Sequence, residues 1–193
     1  MDSETGLLPG AHPAERSFSM PKLRKMLGDI SHPTVVALMR LIETQSKATL
    51  ARWATDEAEL LYLPIYERLP NASPIPRQVI AACRAHLDGA LPLAALKPLL
   101  KQARTLAAAE ADPTAQAAAR AIATGCATIT TPTNALGYLF YGAAAVAYDR
   151  AGLSESAETY DALAVEALDR ALKRLQAVAI PDELNPAKIN WNC

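Results

Sequence analysis

The chain has 193 residues, with 19 basic and 20 acidic side chains and a formal net charge of −1. That length suits one domain, which buries about 70% of its unfolded surface and needs no disulfide staples. The balanced charge argues against nucleic acid as a partner, because phosphate binding needs a basic patch. Three widely spaced cysteines, Cys83, Cys126 and Cys193, lack metal-ligand spacing and predict reduced thiols in a cytoplasmic protein.

The N-terminal residues 1–18 predict a flexible leader. The opening "MDSETGLLPGAHPAERSFSM" lacks the basic start and the continuous apolar stretch of a signal peptide. A short helix is expected to begin after Ser19, with Pro21 in its first turn and Gly28 at its end.

Helical periodicity continues through the middle of the chain, since apolar residues recur every three or four positions without strand-like alternation. Ser31 is the expected cap of the next helix, which either runs on or breaks near Ser46. Pro64 is expected to kink or interrupt the pattern. Two later helices are expected to end at Gly89 and Gly152.

Further along, Asp112 and Pro113 form a cap and first-turn pair that predicts another helix start. The sequence therefore predicts an all-α fold, a single-domain helical bundle of about seven or eight helices over residues 19–180. Residues 181–193 contain two prolines and no helical period, so they predict an extended tail docked on the domain. Ile189 and Trp191 are expected to dock it, and the candidate tail anchors are Trp191 and Cys193.

One long stretch has no charged side chain: "AIATGCATITTPTNALGYLFYGAAAVAY", residues 121–148. A membrane span needs about 20 mostly apolar residues, but Gly125, Pro132 and Asn134 interrupt this run. Its longest apolar piece, residues 135–148, therefore predicts a buried helix at the centre of the fold and no membrane contact. Gly142 is expected to allow close helix approach there.

Charged residues of two helices form the first candidate site. Asp56 and Glu59 lie three apart and share a helix face, where paired carboxylates could act as acid and base. Arg77 and Arg84 are seven apart on another helix and could clamp an anion or these carboxylates. The simpler interpretation is a solvated helix face or ion pairs between neighbouring helices.

A second candidate cluster lies in the uncharged stretch and consists of Thr131, Asn134, Tyr138 and Tyr141. These side chains either cap and pack the helices or face a small cavity between them. The sequence offers no metal or cofactor site, because the three histidines are far apart and no phosphate-binding loop or nucleophile elbow occurs. This pattern favours a role other than catalysis.

The chain resembles a family of bacterial immunity proteins, the immunity-five-like group, in four stretches: "WATDEAELLYLPIYERLP", "PRQVIAACRAHLDG", "AQAAARAIATGCATITTPTNALGYLFYGAAAVAYDRAG" and "NPAKINWNC". The likeness covers residues from about 22 to 193 and is densest over 115–152. Some relatives carry Asp-x-Arg-Pro-Arg where this chain has "SPIPR", and others carry histidines at the positions of Thr130 and Asn134. The resemblance therefore implies an all-α immunity protein and supplies no active site.

Three functions follow from these observations. The first is an immunity protein that neutralises a toxin or another partner protein by binding, without catalysis. The second is a helical small-molecule-binding protein or an enzyme, with a pocket between the central helices. The third is a module that forms a homodimer through its alanine-rich faces.

Overall fold

The structure, a computed structural model, describes residues 23–191. Their helices are α1 (Pro33–Ile42), α2 (Lys47–Glu57), α3 (Leu63–Glu67), α4 (Ile75–Leu87), α5 (Leu93–Ala109), α6 (Pro113–Cys126), α7 (Asn134–Ala151) and α8 (Ala157–Val178). A π-helix, Ala58–Tyr62, joins α2 to α3, and a 3₁₀ turn, Ala127–Ile129, extends α6. No strand occurs within residues 23–191, so the predicted all-α, single-domain bundle is confirmed. The predicted leader, the helix start after Ser19 and Cys193 lie outside the described residues.

Several helix ends follow the local chemistry expected of them. An Asp112 carboxylate oxygen accepts a hydrogen bond from the Ala115 backbone N–H at 2.8 Å and so caps α6. Gly89 and Gly152 follow α4 and α7 with φ of 80° and 77°, which suits glycine because it has no Cβ. These three helix boundaries were correctly predicted.

The segment before α1 departs from its prediction. Residues 23–28 are irregular and contain no helical turn. They cross α7 instead, with the Leu27 backbone N–H donating to the Phe140 carbonyl at 3.1 Å. Gly28 has φ of 128°, and a Cβ there would lie 2.6 Å from the Phe140 ring. The helix predicted to end at Gly28 is therefore wrong over residues 23–28, because the chain is held flat against α7.

The cap of α1 was also predicted wrongly. The Ser31 hydroxyl donates to the Asp29 carboxylate at 2.7 Å and therefore faces back along the chain. His32 takes the cap position, where its Nδ1 accepts a hydrogen bond from the Thr34 backbone N–H at 3.3 Å. The chain does break between α1 and α2, and Ser46 caps α2 through the Thr49 backbone N–H.

Pro64 does not end the helix that contains it. The Leu63 backbone N–H donates to the carbonyl of Ala58, five residues earlier, which is the pattern of a π-turn. Proline removes one backbone donor and clashes with the preceding turn of a regular α-helix. The extra residue of the π-turn immediately before Pro64 lets residues 47–67 continue as one helical rod.

Helices α6 and α7 form the centre of the fold, packed against each other and against α5 and α8 respectively. All alanines of α6 are buried in the core of the bundle, and so are most alanines of α7. The Tyr62 ring packs directly against Gly142 of α7, where a Cβ would lie 2.3 Å from that ring. Within residues 23–191, no helix is both long and apolar enough to span a bilayer.

The residues after α8 contact the turn between α1 and α2. The buried Gln45 side chain accepts from the Ile180 backbone N–H at 2.8 Å and donates to the Ile180 carbonyl at 3.2 Å. The backbone carbonyl of Gln45 accepts a hydrogen bond from the Ala187 backbone N–H at 2.8 Å. The Glu183 carboxylate accepts from the Ser46 backbone N–H at 2.7 Å and from the Thr49 hydroxyl at 2.6 Å.

Candidate functional site

The predicted carboxylate pair lies in an exposed ion-pair cluster between α2 and α4. The Arg84 guanidinium lies 2.9 Å from an Asp56 carboxylate oxygen, and its Nε donates to Glu59 at 2.8 Å. Close to half of each of these three side chains is exposed. The structure therefore places Asp56 and Glu59 as partners of Arg84 on a solvated face, the simpler of the two interpretations.

Arg77 does not join this cluster. Its Nε and Nη2 donate to the two carboxylate oxygens of Glu67 at 2.7 and 2.6 Å. That bidentate pair raises the pKa of Arg77. Arg77 pairs with Glu67, whereas Arg84 pairs with Asp56 and Glu59, so the two arginines do not form the shared anion clamp that their spacing suggested.

The second predicted cluster divides in space. Thr131 and Asn134 line an open groove, described below. Tyr138 is fully buried and meets the rings of Trp53 and Tyr62 edge to face, with centroids 5.5 and 6.1 Å away. Tyr141 is half-buried beneath the Arg120 guanidinium, which lies 5.8 Å from its ring centroid.

The groove has a volume of about 530 Å³ and lies between α5 and the turn that joins α6 to α7. Its α5 side consists of Lys97, Leu100, Lys101 and Arg104. Its other side is lined by residues of the α6–α7 region: Thr124, Ala127, Thr130, Thr131 and Asn134. We call this surface the α5 groove.

The three cations of the α5 groove are exposed, and they form no ion pair within residues 23–191. Elsewhere on the described surface, most arginines are held by carboxylates, as Arg68 is by Asp149 at 2.5 Å. The other described lysines (Lys25, Lys47, Lys173 and Lys188) form no ion pair within residues 23–191, so the grouping of three cations on one face is what distinguishes the groove. The side chains of Thr124, Thr131 and Asn134 likewise form no hydrogen bond with described residues. The groove thus presents donors without internal acceptors.

Carboxylates are remote from the α5 groove along the chain. Residues 89–148 contain two, Glu110 and Asp112, and both follow the C-terminal end of α5. Helical rise places Lys97 about 18 Å and Arg104 about 8 Å from that end. Glu110 accepts a 2.5 Å bond from the Tyr66 hydroxyl, and burial together with this bond raises the pKa of Tyr66 to about 12. Asp112 is occupied in capping α6.

A second charged feature is buried in the core. The Glu57 carboxylate is paired with Arg174 of α8 at 3.2 Å, and Glu57 is 3% exposed. Burial raises the pKa of Glu57, and the nearby arginine opposes that shift only in part. Close by, the Tyr138 hydroxyl and the Trp53 indole N–H have no hydrogen-bond partner among described residues. The Glu57–Arg174 pair joins α2 to α8, and we assign it a structural role for that reason.

Cysteine and histidine side chains do not assemble into a site in the described part of the chain. The Cys83 thiol lies 3.9 Å from the Cys126 carbonyl, and both cysteines are buried. Contact with Cys83 and burial raise the pKa of the Cys126 thiol well above its usual value, which disfavours the reactive thiolate. His86 bonds the Leu91 carbonyl, and residues 23–191 contain no metal-ligating group of histidine, cysteine and carboxylate side chains.

Of the candidate tail anchors, Trp191 lies in the described residues. Its indole N–H donates to the Glu43 carboxylate, and the ring is partly buried against the core together with Ile189. Cys193 lies outside the described residues.

Sequence reasoning missed the cations of α5, although a signal was present. Lys97, Lys101 and Arg104 follow the i, i+4, i+7 spacing that places side chains on one helix face. The helix that carries them has no acidic residue. An unbalanced cationic face of this kind indicates a surface whose charge is satisfied by solvent or by a partner.

A family model described as "Imm-5 like putative immunity protein" matches residues 40–174, which is more than half of the chain. The matched segment runs from α1 into α8 and includes every residue of the α5 groove and the Glu57–Arg174 pair. Comparison with curated proteins and with solved structures gives no match. The chain therefore belongs to the Imm-5 like family that this model describes.

Proposed function

We propose that this protein is a bacterial, cytoplasmic immunity protein that neutralises a protein toxin by direct contact and without catalysis. Its family membership suggests a protein partner. The observation that carries the proposal is the chemistry of the α5 groove, where three exposed cations and the hydroxyls of Thr124 and Thr131 have no partners within the described chain.

The composition of the α5 groove favours binding over catalysis. General acid–base catalysis needs a group that titrates near neutral pH, most often histidine or a carboxylate. The side chains that line the groove include neither, and its ionisable groups are lysine and arginine. Lysine and arginine side chains serve as hydrogen-bond donors to an anionic partner.

Co-expression with a toxin encoded by a neighbouring gene tests this proposal. We expect the full chain to rescue growth of cells that express the toxin, and we expect the two purified proteins to co-elute in gel filtration. Heat-inactivated chain mixed with the toxin is the control for non-specific association. Failure both to protect cells and to form a complex with the toxin would contradict the proposal.

A second candidate function is the binding of a small anionic molecule. The volume of the α5 groove, about 530 Å³, falls within the range of about 300–1,000 Å³ typical of ligand sites. This candidate predicts that inorganic phosphate or a small dicarboxylate raises the melting temperature, by mass action on the folded state. It also predicts that the protein protects cells only through its ligand, without a stable complex with the toxin.

A further inference from the structure

We propose that the α5 groove docks an acidic segment of the partner protein, a surface loop or helix that carries aspartate and glutamate side chains. This inference rests on the proposed function and deepens it, because it assigns the contact chemistry and the face that makes the contact. It goes beyond the family description, which names no surface and no residue.

The charge geometry of α5 is the first support. Lys97, Lys101 and Arg104 lie along one helix face over about 10 Å. None is engaged by a carboxylate within residues 23–191, so a partner has no internal ion pair to displace. A row of like charges costs folding free energy through mutual repulsion, and that cost is relieved when opposite charges bind across it.

The opposite wall of the groove supplies neutral donors. The side-chain hydroxyls of Thr124 and Thr131 and the side-chain amide of Asn134 form no hydrogen bond to described residues. A carboxylate also accepts hydrogen bonds from neutral hydroxyl and amide donors. On the α5 side, Leu100 is 5% exposed and adds an apolar lining residue. Carboxylates on an acidic segment would therefore find donors on both sides of a narrow contact.

The lining of the α5 groove favours an acidic protein segment over nucleic acid. Binding of single strands combines a basic groove with aromatic side chains on which bases stack. The residues lining the α5 groove include no aromatic side chain, and Tyr141 stacks beneath Arg120 outside it. The chain as a whole also lacks the strong basic excess of a phosphate-binding protein, with a net charge of −1.

A charge-reversal variant tests the assignment directly. The change is Lys97→Glu, Lys101→Glu and Arg104→Glu together, all at exposed positions where glutamate retains helix propensity. The matched control is Lys47→Glu, Lys173→Glu and Lys188→Glu, which alters net charge equally at exposed positions outside the groove. Thermal melting of both variants checks that the fold is retained.

Two binding measurements use these variants. The first is fluorescence anisotropy with a short fluorescein-labelled peptide of alternating glutamate and serine, compared with its glutamine counterpart. The second is the affinity for the toxin encoded beside the gene. We expect the groove variant to weaken both by about tenfold or more, because like charges replace attractive ones. The control variant should remain within about twofold of the parent.

The outcomes separate the inference from the proposed function. A toxin complex that the groove variant leaves intact would overturn the inference while the proposed function stands. Equal weakening by groove and control variants would also overturn it, since net charge alone would then explain binding. A single-stranded oligonucleotide that displaces the peptide from the parent protein would assign the groove to nucleic acid. If the parent protein binds no toxin, the proposed function fails, and loss of peptide binding in the groove variant still supports an acidic occupant.

Discussion

Glu57 and Arg174 form an ion pair whose two members are buried to very different extents. Their closest atoms are 3.2 Å apart, yet 3% of the Glu57 side chain is exposed against 35% of Arg174. The arginine can return its charge to water if its partner is lost, whereas the glutamate cannot. The pair therefore joins α8 to the helical segment of residues 47–67, and losing its arginine would cost more than losing its glutamate.

Removing either member of this pair should have unequal effects. Arg174→Ala leaves an uncompensated buried carboxylate and should cost about 3 kcal/mol of unfolding free energy. Glu57→Gln leaves a partly solvated arginine and removes a buried charge, so it should change the unfolding free energy by less than about 1 kcal/mol in either direction. Urea denaturation of both variants measures the difference. Equal costs for the two variants would show that the asymmetry in burial has no energetic consequence.

The pH dependence of Glu57→Gln gives a second readout of the same carboxylate. Burial raises the pKa of Glu57 above its usual 4.5, so the folded state favours the protonated form. Below pH 4.5 the group is protonated in both states and contributes no cost. As the pH rises through the raised pKa, the ionised carboxylate lowers stability in the parent protein. We expect the Gln variant to gain relative to the parent over that rise, as measured by denaturation at several pH values.

Gly142 and Gly137 of α7 form a matched pair for testing the closeness of packing. A Cβ at Gly142 would lie 2.3 Å from the Tyr62 ring, so Gly142→Ala should force that ring to move and cost about 1–3 kcal/mol. A Cβ at Gly137 would lie 3.8 Å from a Thr124 methyl, an ordinary contact. Gly137→Ala should gain up to about 1 kcal/mol through helix propensity. Melting temperatures that shift in the same direction for both variants would contradict this packing.

The buried hydroxyls of Tyr138 and Tyr66 allow a similar comparison. The Tyr138 hydroxyl has no partner among described residues, so Tyr138→Phe should be neutral or stabilising by about 1 kcal/mol. The Tyr66 hydroxyl donates to Glu110 and accepts from the Ser73 backbone N–H at 3.3 Å. Tyr66→Phe should therefore destabilise by about 1–2 kcal/mol. A large loss of stability in Tyr138→Phe would indicate a partner for that hydroxyl outside the described residues.

Glu183 makes the contact between the last residues and α2 dependent on pH. Burial opposes its charge, but hydrogen bonds from Thr49 and Ser46 lower its pKa below the usual 4.5. Its contribution to stability is therefore present above pH 4.5 and is lost as the pH falls through the lowered pKa. We expect Glu183→Gln to melt below the parent at pH 7 and to approach it in acid.

Deletion of residues 187–193 should also lower the melting temperature, because it removes the hydrogen bonds of Ala187 and Trp191.

Local chemistry was sufficient to predict much of the fold. The cap at Asp112, the end at Gly152 and the close approach at Gly142 each depend on a few neighbouring residues, and the structure has all three. The irregular segment at residues 23–28 was not predicted, because its conformation depends on packing against Phe140, distant in sequence.

The candidate site was harder to predict for a related reason. The π-turn at Ala58–Tyr62 adds a residue to the helical rod and changes which side chains face inward. Leu60, in this turn, is 62% exposed, whereas Glu57 is buried at the end of α2, on the same helix face as Leu50 and Ala54, the reverse of what hydrophobicity suggests. Likewise, the tertiary fold decides which cations find carboxylates, so Arg77 and Arg84 are paired while Lys97, Lys101 and Arg104 are not.

Amide hydrogen exchange with and without the toxin encoded beside the gene tests the central claim most directly, because it locates the contact surface on the intact protein. Binding through the α5 groove should slow exchange in the exposed turns of residues 97–104 and 124–134. The face formed by α1 and α8 should exchange at unchanged rates. Slower exchange confined to α1 and α8, with residues 97–104 and 124–134 unaffected, would contradict the claim.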